Sequence, residues 1–316
     1  MSVRMALRSL PRALLQAGLG SLRPSHARCA AAALPRARTF ASASAGDGAG
    51  VYVIFGATGG IGSELAKLLH ASGARVALVG RDQAKLDALA AALPGAHATR
   101  SANVAASGEA DAAIAGALER YGRVDGVANC IGSVVLKAAH TTSDAELAAV
   151  METNLGTSFS ILRASVKAMT RSGAGGGSIV LCSSAVARFG LPNHEAIAAA
   201  KGAVAALALS AAATYAPQNV RVNVVSPGLV RPAFVVVPAH GGADAARPPQ
   251  TRTPMTARIT GNEAALKAST EMHALKRIGE PGDTARAIAF LLDPANAFIT
   301  GQNLGVDGGL GSLKPR

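Results

Sequence analysis

From Val51 onward, seven short apolar runs rich in β-branched residues alternate with seven longer runs of helical character, and few folds accommodate that order. The strand candidates are Val51–Phe55, Arg75–Val79, Ala98–Ser101, Gly126–Cys130, Ser178–Cys182, Arg221–Val225 and Asn303–Val306. The helix candidates are Gly60–Ser72, Ala84–Ala92, Ala105–Tyr121, Asp144–Arg171, Glu195–Tyr215, Asn262–Leu275 and Pro281–Leu292. Near-continuous apolar strands suit a parallel sheet buried on both sides, because each crossover helix must pack back on one face. Short, right-handed crossovers then predict an α/β fold: a doubly wound, Rossmann-type parallel sheet of about seven strands. Residues 46–316 read as one such domain.

The net charge of +12 is concentrated ahead of this pattern. Residues 1–45 hold seven arginines and no acid, and without them the charge falls to +5. Rich in Arg, Ala, Leu and Ser, this stretch reads as an organelle transit peptide. Arg38-Thr39-Phe40-Ala41-Ser42 resembles a mitochondrial processing site, so the expected location is the mitochondrial matrix, with the plastid stroma as alternative. The basic charge leaves with this segment, which argues against a nucleic-acid partner. No run of eighteen apolar residues is free of charges and Gly or Pro breaks, so no membrane span is expected. Cys130 and Cys182 end apolar strands and read as buried thiols. No Cys/His cluster has metal-ligand spacing, so no metal site is expected.

Two segments carry chemistry. Phe55-Gly56-Ala57-Thr58-Gly59-Gly60-Ile61-Gly62 leaves a strand and opens a helix, and its glycines let the backbone approach a pyrophosphate at the helix N-terminus. Farther on, Ser178–Cys182 runs into the hydroxyls Ser183 and Ser184. The helix from Glu195 then sets Lys201 among Ile197, Ala198, Ala199, Ala200, Ala203 and Val204, where an ammonium is awkward without a partner.

Together these segments resemble the short-chain dehydrogenase/reductase family over about residues 51–310. The resemblance extends to Asn129-Cys130-Ile131-Gly132 after the fourth strand, to Pro227-Gly228 and to Asp307-Gly308-Gly309. It implies a nicotinamide cofactor held by Gly56, Thr58, Gly60, Ile61 and Gly62, with Asn103 and Val104 by the adenine. Asn129, Gly132, Pro227 and Gly228 would lie along the cofactor, and Lys201 on its ribose. NAD-selective members carry an acid where Gly80 stands. Glycine there, with Arg81 next, favours NADP(H) over NAD(H), because a guanidinium grips a 2′-phosphate in bidentate fashion.

Asn154, Ser184 and Lys201 match the family's water-holding asparagine, substrate-binding serine and ribose-binding lysine. The family's proton-donating tyrosine, four residues before the lysine, is Ile197 here. Losing a positioned acid costs on the order of a hundred- to ten-thousandfold in rate. His194 is the candidate substitute, seven residues before Lys201 and roughly 10 Å along the helix axis. The other reading makes His194 a polar residue at the helix start beside a capping Asn193. The chain is thus expected to reduce a carbonyl or enoyl group, or to be a cofactor-binding homologue serving as sensor or assembly subunit. A partly apolar small-molecule substrate is expected from the lid at 253–280, where Met255, Ile259, Leu266, Met272 and Leu275 are available, and the long helices imply a homodimer or homotetramer. Residues 232–252 interrupt the family wording and read as an in-frame insertion or a lid extension, a long loop without secondary structure.

Overall fold

The computed structural model describes residues 50–95, 97–171, 173–231, 234–236, 250–252 and 261–313. The basic leader, most of 232–252, and Met255 and Ile259 lie outside the described residues.

Seven strands form one all-parallel sheet: β1 (Val51–Phe55), β2 (Arg75–Gly80), β3 (Ala98–Ser101), β4 (Gly126–Asn129), β5 (Gly177–Cys182), β6 (Val220–Pro227) and β9 (Asn303–Val306), in the order β3-β2-β1-β4-β5-β6-β9. The helices are α1 (Gly60–Ala71), α2 (Gln83–Ala91), α3 (Glu109–Tyr121), α4 (Asp144–Met151), α5 (Thr157–Thr170), α6 (Glu195–Tyr215), α7 (Glu263–Met272) and α8 (Pro281–Leu292). The order reverses between β1 and β4, which opens a crevice at their carboxyl ends, the usual ligand position in such sheets.

Successive side chains of a strand point to opposite faces, and the sheet uses both. Val53 and Phe55 of β1 join Val222 and Val224 of β6 in a cluster with Ile114 of α3 and Ile161 of α5. Tyr52 and Ile54 join Val180 of β5 in a second cluster with Leu65 of α1 and Ile288 of α8. Burying each such large side chain contributes about 1.5–3 kcal/mol.

Arg221 stands on β6 among these apolar neighbours. Its Nη1 donates to the carbonyls of Leu291 (2.9 Å) and Ile299 (3.0 Å), and its Nη2 to Asp293 (3.2 Å). One guanidinium thereby serves carbonyls at the C-terminus of α8, which have no partner within the helix. Burial lowers its pKa, opposed by the charges of Asp293 and Tyr52.

Three expectations are corrected. The run 144–171 is not one helix: a π turn, Glu152–Gly156, separates α4 from α5. Side chains claim the local carbonyls there, with Asn154 Nδ2 on Val150, Thr157 Oγ1 on Thr153 and Ser158 Oγ on Asn154, and such back-bonding competes with the regular ladder. The run 105–121 becomes helical only at Glu109, because Gly108 adopts φ 82 ahead of it. Within 232–252, two short strands pair antiparallel, β7 (Phe234–Val236) with β8 (Gln250–Arg252) in the register Phe234↔Arg252, where a loop without secondary structure was expected.

One helical stretch among the described residues, Glu195–Gln218, is long and apolar enough to cross a membrane by length and composition (mean hydropathy 1.7). Here its buried face, Ala200, Val204, Ala208, Ala211 and Ala212, packs as a core helix.

Candidate functional site

The loop after β1 is shaped by glycines that nothing else could replace. Gly56 has φ 75, and a Cβ there would come within 2.9 Å of the Cys130 carbonyl carbon. A Cβ on Gly62 would come within 2.3 Å of the Gly56 oxygen, so α1 packs directly on the turn that feeds it. Gly59 occupies the N-cap of α1 and provides no side-chain bond. The first amides of α1, with Gly60, Ile61 and Gly62, therefore form an uncapped, positively polarised helix end suited to a phosphate.

Beside this loop, Thr58 Oγ1 stands 3.2 Å from where a Gly80 Cβ would lie, and Leu86 3.4 Å. An acid at position 80 would press on both. Arg81 follows, exposed at the rim of a cavity of about 440 Å³ lined by Ser101, Ala102, Asn103, Ala106 and Glu109. Ser101 Oγ donates to the Arg81 carbonyl at 3.1 Å, tying β3 to the end of β2. Glu109 in the same cavity pairs with Arg100 (3.2 Å), and no ion pair of Arg81 occurs among the described residues. Asn103 lines the cavity, whereas Val104 is turned into the core. The adenine contact expected of Val104 is thus confined to its backbone.

Asn129 is 1% exposed at the end of β4. Its Oδ1 accepts from the Ile131 amide (2.9 Å), shaping the turn toward Gly132, and its Nδ2 donates to Ser158 Oγ (3.0 Å). Asn154, fully buried in the π turn, clamps the same loop: Nδ2 donates to Ser133 Oγ (3.0 Å) and to the Val150 carbonyl (2.9 Å), and Oδ1 accepts from the Ser133 amide (3.2 Å). Both amide protons are committed to the chain, so the water expected on this side chain has only a lone pair of Oδ1.

Lys201 is 7% exposed, and its Nζ donates to the Cys182 carbonyl at 2.9 Å. Burial lowers its pKa, opposed by the neighbouring thiols of Cys182 and Cys130. These thiols end adjacent strands, and their mutual hydrogen bond, followed by burial, raises Cys130. The same bond, with the charge of Lys201, lowers Cys182 against the effect of burial. Ser183 Oγ donates to the Lys201 carbonyl at 2.7 Å, so the two consecutive hydroxyls divide their work. Ser183 holds α6 to β5, while Ser184 Oγ, half-buried, accepts only a long 3.4 Å bond from the Val186 amide and keeps its proton for another partner.

Ile197 is 3% exposed and packs in a small apolar cluster with Val150, Ala196 and Ala200, against Val134, Val135, Met151 and Val186. At the position of the family's acid there is an apolar wall. His194 takes the N-cap position of α6, without a side-chain cap bond. Asn193, expected as the cap, instead holds the preceding turn in the left-handed region at φ 62. The His194 Nδ1 lies 2.7 Å from the Pro192 carbonyl. A carbonyl only accepts, so Nδ1 carries a proton toward Pro192, and Nε2 is the ring nitrogen left for another partner.

Pro227 ends β6, and the Gly228 amide donates to the Val306 carbonyl at 3.2 Å. A Gly228 Cβ would meet His273 Nε2 at 2.7 Å and Asp307 Cα at 3.0 Å. Asp307 in turn accepts from the amides of Gly309 and Gly311, both at 2.9 Å. The β1 loop, Asn129, Ser184, Lys201 and Pro227-Gly228 all lie at the carboxyl ends of neighbouring strands or on the helices that follow them. Ser133, Ser158 and His273 were not expected here from sequence, and Ser183 was noted only as the hydroxyl beside Ser184. The paired hydroxyls at 183–184 were a visible signal; a histidine on a lid helix was not.

Residues 56–246 and 243–311 match the family model described as enoyl-(acyl carrier protein) reductase. The chain is 34% identical over 257 residues to galactitol 2-dehydrogenase (L-tagatose-forming) from Cereibacter sphaeroides, covering 81% of this chain and 92% of that protein. A short-chain dehydrogenase/reductase structure from Mycobacterium ulcerans superposes with a TM-score of 0.73 at 28% identity, covering 84% of this chain and 91% of the other. The structure of ElxO with NADP bound shares the fold (TM-score 0.72, 22% identity, 84% and 100% covered).

Proposed function

The chain belongs to the short-chain dehydrogenase/reductase family of oxidoreductases, and on that premise we propose that it is an NADP(H)-dependent reductase of a carbonyl or conjugated enoyl group, acyl thioesters among them. The observation that carries this reading is the buried Lys201 ammonium held on the Cys182 carbonyl at the carboxyl end of β5, two residues before Ser184, in a sheet whose first strand runs into the uncapped N-terminus of α1.

The residues present suit a dinucleotide. Gly56 and Gly62 leave a cradle that a Cβ would fill, the α1 amides face an anion, and the Arg81 cavity has room for a 2′-phosphate. When bound, the nicotinamide supplies the hydride. Ser184 Oγ donates a hydrogen bond to the substrate oxygen and stabilises charge that develops there. Lys201 contributes positive charge inside a site of low dielectric. Val134, Val135, Val186 and Ile197 give the substrate an apolar wall. No side chain at position 197 donates a proton, and the Nδ1 proton of His194 is held by the Pro192 carbonyl. Enoyl reduction suits this best, because water protonates carbon once the enolate is stabilised.

Between α5 and α6 runs a groove lined by Phe159, Leu162, Leu207 and Tyr215, with Phe159 51% exposed. A second copy of this chain is the proposed occupant, giving a homodimer or homotetramer. Delivery to the mitochondrial matrix, or to a plastid, rests on the leader composition alone.

The test is titration of the protein lacking residues 1–45 with NADPH and NADH, followed by an absorbance screen over ketones, enones, and 3-oxoacyl and enoyl thioesters. Affinity for NADPH with turnover of one class supports the proposal. Binding without turnover leaves a cofactor-binding homologue, and absence of binding removes the reading altogether.

A further inference from the structure

His273 stands just past the C-terminus of α7 and is 1% exposed. Its Nδ1 lies 2.6 Å from the Ser269 carbonyl, and its Nε2 lies 3.2 Å from the Leu229 amide nitrogen. The partners dictate the ring's state. A carbonyl accepts, so Nδ1 bears the proton; an amide donates, so Nε2 is bare. One neutral imidazole thus reaches from the lid helix to the backbone that follows Gly228.

The neighbouring chain reinforces this link. The Gly279 amide donates to the Leu229 carbonyl (2.8 Å), and the Arg231 amide to the Gly279 carbonyl (2.8 Å). Both polar groups of the Leu229 backbone are therefore held by the segment after α7, the amide by a side chain and the carbonyl by main chain. Gly228 admits the ring: a Cβ there would lie 2.7 Å from Nε2, so any larger residue would displace the imidazole. Nothing on β6 or β9 supplies another acceptor to the Leu229 amide among the bonds of the described residues.

We infer that His273 is a positioning residue: through Nε2 it fixes the Pro227–Leu229 turn against the nicotinamide half of the cofactor and ties that turn to the lid helix. The inference rests on the cofactor reading above. Without the acceptor, the Leu229 amide is left unpaired in a half-buried place, and the turn rotates to find another partner. A cofactor fitted to the native turn is then bound less tightly, while contacts at the Arg81 end are unaffected.

Two variants of similar polarity separate the acceptor from general packing. In His273→Gln the amide oxygen reaches the Nε2 position and accepts from Leu229. In His273→Asn the amide reaches only the Nδ1 position and restores the bond to Ser269. Affinity is read by fluorescence titration with NADPH and with adenosine 2′,5′-bisphosphate, which lacks the nicotinamide half. The expected result is NADPH affinity within about threefold of wild type for His273→Gln and about tenfold or more weaker for His273→Asn, the change expected for a lost hydrogen bond. The bisphosphate should bind all three proteins alike. Equal NADPH affinities for the two variants, or a parallel loss for the bisphosphate, overturns the inference. Wild type binding no nicotinamide cofactor is a different outcome, and overturns the reading on which the inference stands.

Discussion

The Lys201 ammonium donates to the Cys182 carbonyl, 2.9 Å away, from a position 7% exposed. The helix therefore carries a cation into the protein interior, where one carbonyl holds it. Burial holds its pKa below the usual lysine value. Between that depressed value and the ordinary 10.5 the unfolded chain binds the proton and the folded chain does not, so stability rises with pH through that window.

Lys201→Met should therefore unfold at a higher temperature than wild type at neutral pH, by about 2–4 °C for each kcal/mol of relieved desolvation. It should lack the alkaline rise in stability and lose turnover. Thermal melts across a pH series, with NADPH titration alongside, check all three.

Ile197→Tyr restores the family's proton donor above Lys201. Because Ile197 already fills its cluster with Val150 and Ala200, the larger ring should lower stability by about 1–3 kcal/mol. Carbonyl reduction should rise by on the order of a hundredfold or more. Steady-state rates on a ketone panel, set beside urea melts of the same preparation, measure both effects. A variant that folds without any gain in carbonyl reduction would contradict the assignment of position 197.

Arg81→Ala removes the cation from the rim of the Ser101–Asn103 cavity. NADPH affinity should fall by about tenfold or more, since a charge-assisted bond contributes about 1.5–3 kcal/mol, and NADH affinity should change little. Parallel titrations with the two cofactors decide it; equal losses for both would show that Arg81 does not read the 2′-phosphate.

Arg221→Met removes one of two donors from each of the carbonyls of Leu291, Asp293 and Ile299, which keep Ser178 Oγ, the Asn296 amide and Asn223 Nδ2. A hydrogen bond to a charged group contributes about 1.5–3 kcal/mol, offset in part by relief of the guanidinium's desolvation. A loss of several degrees in Tm is expected, with cofactor affinity retained because the guanidinium lies on β6 away from the crevice. Calorimetry and NADPH titration provide the two readings.

Much of the framework could be read from residue order. β1, β3, β9, α6 and α8 begin and end where expected; β1 lies between Gly50 and Gly56, and α8 between Glu280 and Asp293, boundaries set by local chemistry. The π turn could not be read, since it depends on Asn154, Thr157 and Ser158 finding carbonyls one turn back and on Ser133 approaching from another loop. In the site, Gly56, Gly62 and Lys201 were legible, because glycines at that spacing crowd against neighbouring backbone and a lone cation on an apolar face demands a partner. The role of His273 and the bond from Ser183 to Lys201 were not, because each acts on backbone atoms distant in sequence. Asn193 misled for a related reason: asparagine suits a helix cap and a left-handed turn equally, and the turn took it.

The five residues from Glu152 to Gly156 also set a phase. An α-helix advances about 100° per residue, and the bulge turns Asn154 onto the Ser133 loop while Ile161, Ser165 and Met169 stay buried along one side of α5. Excising a single residue would leave an unbroken rod that looks sounder than the original. Either the asparagine or the downstream apolar stripe would then point the wrong way, so this stretch tolerates exchange of letters far better than a change in their number.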